Sequence, residues 1–210
     1  MRHETAQVFV APNADASAIE PALHARMAAL PGLRRVSVGR NLEGSWGAGA
    51  YTLDLLAADH APDFGAAVAG LAHVPGVARV DRVVSVGIGG GLRTPGLREG
   101  IWRTLMLRVR EHASDANVAA LEQALLRMPD YMPGIRNWRL ARVTSSSTWT
   151  HVWQQEFARV DDLLGEYLMH PFHWGRVDRW FDVECPEWTV AAISHAFCPL
   201  GASLLADTTN

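Results

Sequence analysis

Apolar and polar positions along the chain follow two periods, and these fix the expected elements. Residues 4–10 alternate with a period of two, as a strand with one buried face does. In 15–30 the period lengthens: Asp15 suits a helix cap, and Ile19, Leu23, Met27 and Leu30 fall on one helical face. Residues 33–39 and 49–57 read as strands around the turn-rich Asn41–Gly49, 63–72 as a helix and 80–87 as a strand. The same order recurs at 101–109, 114–128, 135–143, 147–157 and 160–169, with a last strand near 188–197. The stretch 171–184 reads both ways: its first-half counterpart looks like a strand, while Pro171 suits a helix start. Each half therefore spells βαββαβ, the ferredoxin-like order, with helices on one face of an antiparallel sheet. The bare face of each sheet needs cover, and the other half supplies it.

Repetition supports this division. Pro31-Gly32-Leu33-Arg34, with Val36, Val38 and Arg40 after it, reappears as Pro133-Gly134-Ile135-Arg136 followed by Trp138, Leu140 and Arg142. Arg79-Val80-Asp81-Arg82 returns as Arg176-Val177-Asp178-Arg179, each six residues after a histidine, His73 or His170. A period of half the chain reads as a tandem duplication, since solenoid repeats are much shorter. The expected organisation is a first domain over 1–88, a Gly/Pro-rich linker over 89–100, a second domain over 101–200 and a tail over 201–210. The run Gly87–Gly91 could suggest a nucleotide loop, but Thr94-Pro95-Gly96 forbids the helix such a loop must open.

Composition narrows the function classes. No apolar run approaches a membrane span. A net charge of −3 lacks the basic footprint of a nucleic-acid binder. Two cysteines, Cys185 and Cys198, form no secreted disulfide framework, so a cytoplasmic protein is expected. All 19 basic residues are arginine, which excludes Schiff-base and Walker-type lysine chemistry.

The candidate chemistry lies in the second half, with seven of eight tryptophans, both cysteines and five of nine histidines after residue 100. In the strand over 147–157, period two puts Trp149, His151, Trp153 and Phe157 on one face. A histidine on an aromatic face has an adjustable pKa and suits proton transfer; a core histidine satisfied by a neighbour is the plainer alternative. Tyr167-Leu168-Met169-His170-Pro171-Phe172-His173 follows, with Tyr167 and His170 sharing a helix face and His170 at a helix boundary. Aligned on the Arg-Val-Asp-Arg tetrads, the first half offers only Gly70, Gly76 and a position near Leu53 opposite Tyr167, His173 and His151.

These residues resemble the stress-responsive A/B barrel (Dabb) family from Trp102 to Cys198. The likeness rests on Met132-Pro133-Gly134-Ile135, Thr150-His151-Val152, Phe157 before an acidic helix start, and the Tyr-x-x-His-Pro-x-His run at 167–173. The first half resembles a diverged member that keeps Pro31-Gly32-Leu33 and Val38-Gly39-Arg40-Asn41. The resemblance implies an α+β protein whose two ferredoxin-like halves form a dimeric α+β barrel within one chain; further pairing into a homodimer stays open. Plant polyketide cyclases similar to this family use a tyrosine–histidine pair for aldol ring closure. That pair maps onto Tyr167 and His173, with His151 also lining the pocket. The sequence departs at Arg103, where those cyclases carry a histidine, and at Leu125, where they carry a tyrosine.

The leading expectation is a binder, cyclase or lyase for a small, hydrophobic, oxygenated ligand. It uses Tyr167, His173 and His151 as acid–base groups, with Trp149, Trp153, Arg103 and His170 around the ligand. It needs no cofactor or metal: no Cys-x-x-Cys or His-Glu-x-x-His spacing accompanies Cys185, Cys198 or His195. Haem ligation by His151 or His173 is a weaker alternative. The rival class is a non-catalytic stress-response or assembly protein with structural histidines.

Overall fold

The order of elements in the computed structural model, which describes residues 1–206, begins β1 (Arg2–Val10), α1 (Ala16–Ala28), β2 (Leu33–Arg40), β3 (Tyr51–Ala57), α2 (Gly65–Ala69) and β4 (Val77–Leu92). It continues with β5 (Arg98–Val109), α3 (Asp115–Tyr131), β6 (Ile135–Val143), β7 (His151–Phe157), short helical segments at Asp162–Tyr167, His173–Val177 and Asp178–Trp180, and β8 (Val190–Ala202). The fold is α+β. An eight-stranded antiparallel sheet runs β2-β3-β1-β4-β6-β7-β5-β8, so each half contributes four strands in the same internal order. None of the helices among the described residues is long and apolar enough to cross a membrane.

The helices form where the pattern asks for them. Asp15 caps α1 by accepting from Ser17 N, and Ser114 caps α3 by accepting from Asn117 N. Ile19, Leu23 and Met27 of α1 pack onto Ala6, Val8, Leu53 and Leu55. In α3, Leu121, Leu125 and Met128 pack onto Leu105, Leu140, Trp153 and Phe157. Alternation along each strand sends the intervening residues to the opposite face of the sheet, where the halves meet. That inner face is polar in its middle. Asp54 of β3 accepts from Thr5 (3.0 Å) and from Gln154 Nε2 of β7 (2.9 Å). Arg139 of β6 donates to Gln154 Oε1 (3.1 Å) and to Ser85 Oγ of β4 (3.2 Å), so one network crosses both halves.

The stretch expected as a linker over 89–100 is largely strand. β4 runs to Leu92 and pairs with β6 from Ser85↔Val143 to Leu92↔Asn137, with a bulge between Gly87 and Gly89. Glycine is needed here for close approach: a Cβ on Gly90 would lie 2.6 Å from the Trp138 carbonyl oxygen, and one on Gly91 would collide with the Trp138 ring. The sheet curls until β8 meets the first half. Leu42 N donates to Phe197 O, and Trp46 and His195 exchange backbone hydrogen bonds, each at 2.8 Å. A Cβ on Gly39 of β2 would stand 2.5 Å from Cys198 Sγ.

Two further expectations change. The tail over 201–210 is integrated as far as residue 206: Leu204 and Leu205 pack with Leu97, Trp102 and Leu200. Their amides donate to the buried Glu156 carboxylate at 2.5 and 3.0 Å, and Ser203 Oγ donates to it at 2.7 Å. Of the two repeats, Pro-Gly precedes β2 and β6 alike, but the Arg-Val-Asp-Arg tetrads differ in structure. The first lies in β4, whereas the second forms the helical turn at 176–179, so Pro171 reads correctly as a helix start. Sheet register supplies the sound correspondence: Leu33↔Ala57 and Ile135↔Phe157 match, hence Glu4 corresponds to Arg103, Arg82 to His195 and Tyr51 to His151.

Candidate active site

Arg103 and Leu105 of β5 and Ile193 and His195 of β8 share the helix-facing side of the second-half sheet because they alternate in paired strands. The α3 residue Leu125 and the helical residues Tyr167, Leu168, His173, Val177, Asp178 and Phe181 face them across a cavity of about 330 Å³. Trp46, from the β2–β3 loop of the first half, forms part of the rim and is 65% exposed. A hollow of about 600 Å³ between α1 and β2–β3 is larger, but Ser17, Pro21, His24, Ala25 and Arg40 around it are all exposed, making it an open surface groove.

The polar groups of the smaller cavity converge. Tyr167 and His173 meet edge to face, with ring centres 5.1 Å apart. Nδ1 of His173 lies 2.9 Å from Oδ1 of Asp178, an ion-pair distance away from the line of a well-formed hydrogen bond. With its proton on Nδ1, beside the carboxylate, the ring leaves Nε2 as proton acceptor. Arg103 Nη1 donates to Tyr167 Oη (3.1 Å) and to Gln155 Oε1, and its guanidinium lies 4.9 Å from the centre of the tyrosine ring. The Tyr167 hydroxyl proton reaches only Met128 Sδ, at 3.7 Å, a weak acceptor. Three atoms here are buried without a hydrogen bond: Arg103 Nε, His173 Nδ1 and His195 Nε2.

Burial sets the protonation states. It lowers the pKa of His173, helped by the Arg103 charge and opposed by Asp178. It pushes His195 down to about 3, with Arg103 and His173 adding to the effect. It also lowers Arg103, which Tyr167 partly offsets. At neutral pH the two imidazoles are therefore neutral beside one buried guanidinium.

Of the residues singled out in the sequence, Tyr167, His173 and Arg103 come together here, and four do not. His151 is held elsewhere: its ring nitrogens contact Thr150 Oγ1 and Glu122 Oε1, both at 2.9 Å, and Glu122 also accepts two hydrogen bonds from Arg142. Trp149 packs near Val83, Met106 and Val152 on the inner face of the sheet. Trp153 is fully buried in the core behind the cavity, in one cluster with Phe157 and Tyr167. His170 accepts from Phe172 N at 3.1 Å and fixes the turn at Pro171. Sequence reasoning missed His195, Asp178 and Trp46 as cavity residues. Period two from the end of β8 would have found His195; Asp178 was hidden in the tetrad, and Trp46 reaches the site only through closure of the sheet. Among the described residues, no three His, Cys, Asp or Glu side chains cluster as a metal site.

Residues 101–194 match the family of stress responsive A/B barrel domains (Dabb). No curated protein sequence matches the chain. Among solved structures, an anthrone oxidase-like protein is similar over 95% of this chain and 90% of its own, with TM-score 0.63 and 12% identity. A putative monooxygenase from Fusobacterium nucleatum matches over 96% and 95% (TM-score 0.59, 8% identity). One from Lactobacillus acidophilus matches over 95% of both chains (TM-score 0.56, 9% identity). At such identities these likenesses establish a shared fold that spans both halves.

Proposed function

We propose that this chain, with a stress-responsive A/B barrel domain over residues 101–194, is a cofactor-independent enzyme that removes a proton next to a carbonyl group. Its substrate is an apolar oxygenated carbonyl or aromatic compound, and ring closure or cleavage follows from the carbanion. In this reading 1–88 is a diverged domain fused to the domain over 101–200, which carries the site. The observation that supports it best is the convergence of neutral His173, backed by Asp178, with Tyr167, whose hydroxyl accepts from Arg103.

His173 Nε2 takes the proton from carbon, and the resulting imidazolium is stabilised by the Asp178 carboxylate. The carbonyl oxygen becomes an enolate oxygen and receives a hydrogen bond from Tyr167. Arg103, donating to the phenol oxygen, makes that O–H a stronger donor. The imidazolium then returns its proton to the product. Leu105, Leu125, Val177 and Ile193 keep the site apolar. One of the solved structures of similar fold is an anthrone oxidase-like protein, and deprotonation at carbon is a step that an anthrone-type substrate would share.

Deuterium uptake at the α-carbon of aryl methyl ketones, followed by NMR, tests the proposal. Tyr167→Phe and His173→Ala are expected to lower exchange by roughly 10²–10⁴-fold. Exchange equal in wild type and both variants would sink it. The competing reading, an assembly protein with structural histidines, fits His151 and His170, whose ring contacts are internal. It leaves the unpartnered Arg103 Nε and His195 Nε2 without a purpose.

A further inference from the structure

We propose that the cavity takes its ligand as an anion, an ionised carboxylate or phenolate on an apolar ring, with the buried Arg103 guanidinium as its countercharge. The inference rests on the reading of this cavity as the ligand site and adds the charge of the ligand to it.

Arg103 is 4% exposed, yet no described carboxylate forms an ion pair with it. Its hydrogen-bond partners are neutral, Gln155 Oε1 and Tyr167 Oη, and its Nε has none. The one carboxylate in the cavity wall, Asp178, is engaged at 2.9 Å by His173. A buried guanidinium left in this state destabilises the fold unless a negative charge reaches it.

Other arginines of the sheet, buried or exposed, have a carboxylate. Arg139 is stabilised by the charge of Asp54, Arg142 grips Glu122 through two hydrogen bonds, and Arg82 meets Glu4 at 2.7 Å. The last comparison is the most direct, because sheet register equates Glu4 with Arg103 and Arg82 with His195. At one place in the fold, the first half has a buried acid–base ion pair; the second half has a cation beside a neutral imidazole. At these two positions the first half balances its own charge, and the second lacks a negative charge paired to Arg103. That charge comes with the ligand. Leu105, Leu125, Phe181 and Ile193 supply an apolar lining for its body, and about 330 Å³ holds one or two fused rings.

Calorimetric titration of the full chain with 2-naphthoate and with its neutral counterpart 2-naphthamide tests this. Wild type is expected to prefer naphthoate by about thirtyfold or more, and Arg103→Met to lose that preference. The same variant is expected to melt at or above the wild-type temperature without ligand, since an uncompensated buried charge is removed. Should Arg103→Met fail to fold, 2-naphthol titrated with wild type at rising pH replaces it: binding is expected to tighten as the phenol ionises. A naphthoate preference without such tightening assigns the site to carboxylates, and tightening assigns it to phenolates as well. Equal binding of naphthoate and naphthamide, retained preference in Arg103→Met, or binding of neither probe overturns the proposal. Loss of deuterium exchange in His173→Ala, alongside any of these, would leave the acid–base reading standing and remove only the anion.

Discussion

Two buried histidines should make the protein acid-labile well above the range in which carboxylates titrate. His3 on β1 has an unpartnered Nδ1 and is held down to about 3 by burial, with the Arg139 and Arg35 charges adding to it. His195 is held down to about 3 by burial, then by Arg103 and His173. As pH falls, the unfolded chain binds protons at these side chains near 6.5, while the folded chain does not until about 3. Their contribution to stability is therefore complete above 6.5 and is lost progressively down to about 3. Between about pH 7.5 and about pH 5, each histidine costs about 2 kcal/mol, from 1.4 kcal/mol per pH unit over the titrating span. Urea unfolding followed by tryptophan fluorescence at those two pH values measures the loss. Replacing His195 by leucine should remove about 2 kcal/mol of the wild-type difference, and His3→Leu a similar amount. The two should add, since they lie on opposite faces of the sheet and in different halves. A wild-type difference that survives unchanged in both variants would refute the reasoning, as would an NMR titration of the folded protein with His195 protonating near 6.5.

Substitutions away from the cavity separate structural from chemical roles. His151→Leu removes two side-chain hydrogen bonds and leaves Glu122 with Arg142, so urea unfolding should show a loss of about 1–3 kcal/mol. Deuterium exchange of the ketone should stay at the wild-type rate; a drop would put His151 back in the reaction. Glu156→Ala strips the acceptor from Asn137 Nδ2, Ser203 Oγ and the amides of Leu204 and Leu205, at a cost of about 3–5 kcal/mol. Hydrogen exchange at Leu204 and Leu205 should accelerate before global unfolding, and unchanged protection there would show that the carboxylate does not anchor the segment.

The fold was legible because its signals are local. Period two and period 3.6 mark most strands and the two long helices, and the Pro-Gly turns before β2 and β6 sit in matching places. What was illegible depends on distant packing. Gly87–Gly91 reads as a linker until Trp138 is seen lying across it, which only glycine allows in a strand. The Arg-Val-Asp-Arg match misled because the second half inserts helical turns before β8, shifting the tetrad from sheet to helix. Within the site, Tyr167 and His173 were found together because one short run of sequence carries both. His151 was misplaced for a physical reason: its face of β7 packs under α3, and Glu122 on that helix captures the ring at the far end from Tyr167.

The division of labour between the halves follows from these placements. A barrel of two identical copies would repeat every groove, with the same charges in each. Here the two halves differ at corresponding positions. The Glu4–Arg82 pair joins β1 to β4 in the first half, with Arg2 and Asp63 extending it. The first half also lends its loop, since Leu42 and Trp46 bond to the β8 backbone and Trp46 reaches the cavity rim. The shared interior is asymmetric too: Asp54 and Ser85 come from one half, Gln154 and Arg139 from the other. Asp54, Gln154 and Arg139 at the seam and Glu4 and Arg82 in the first half are paired, whereas Arg103, His173 and His195 of the second-half cavity each keep a buried nitrogen without a hydrogen bond. Stability drawn from the paired groups offsets the cost of holding the Arg103 guanidinium buried without an ion-pair partner.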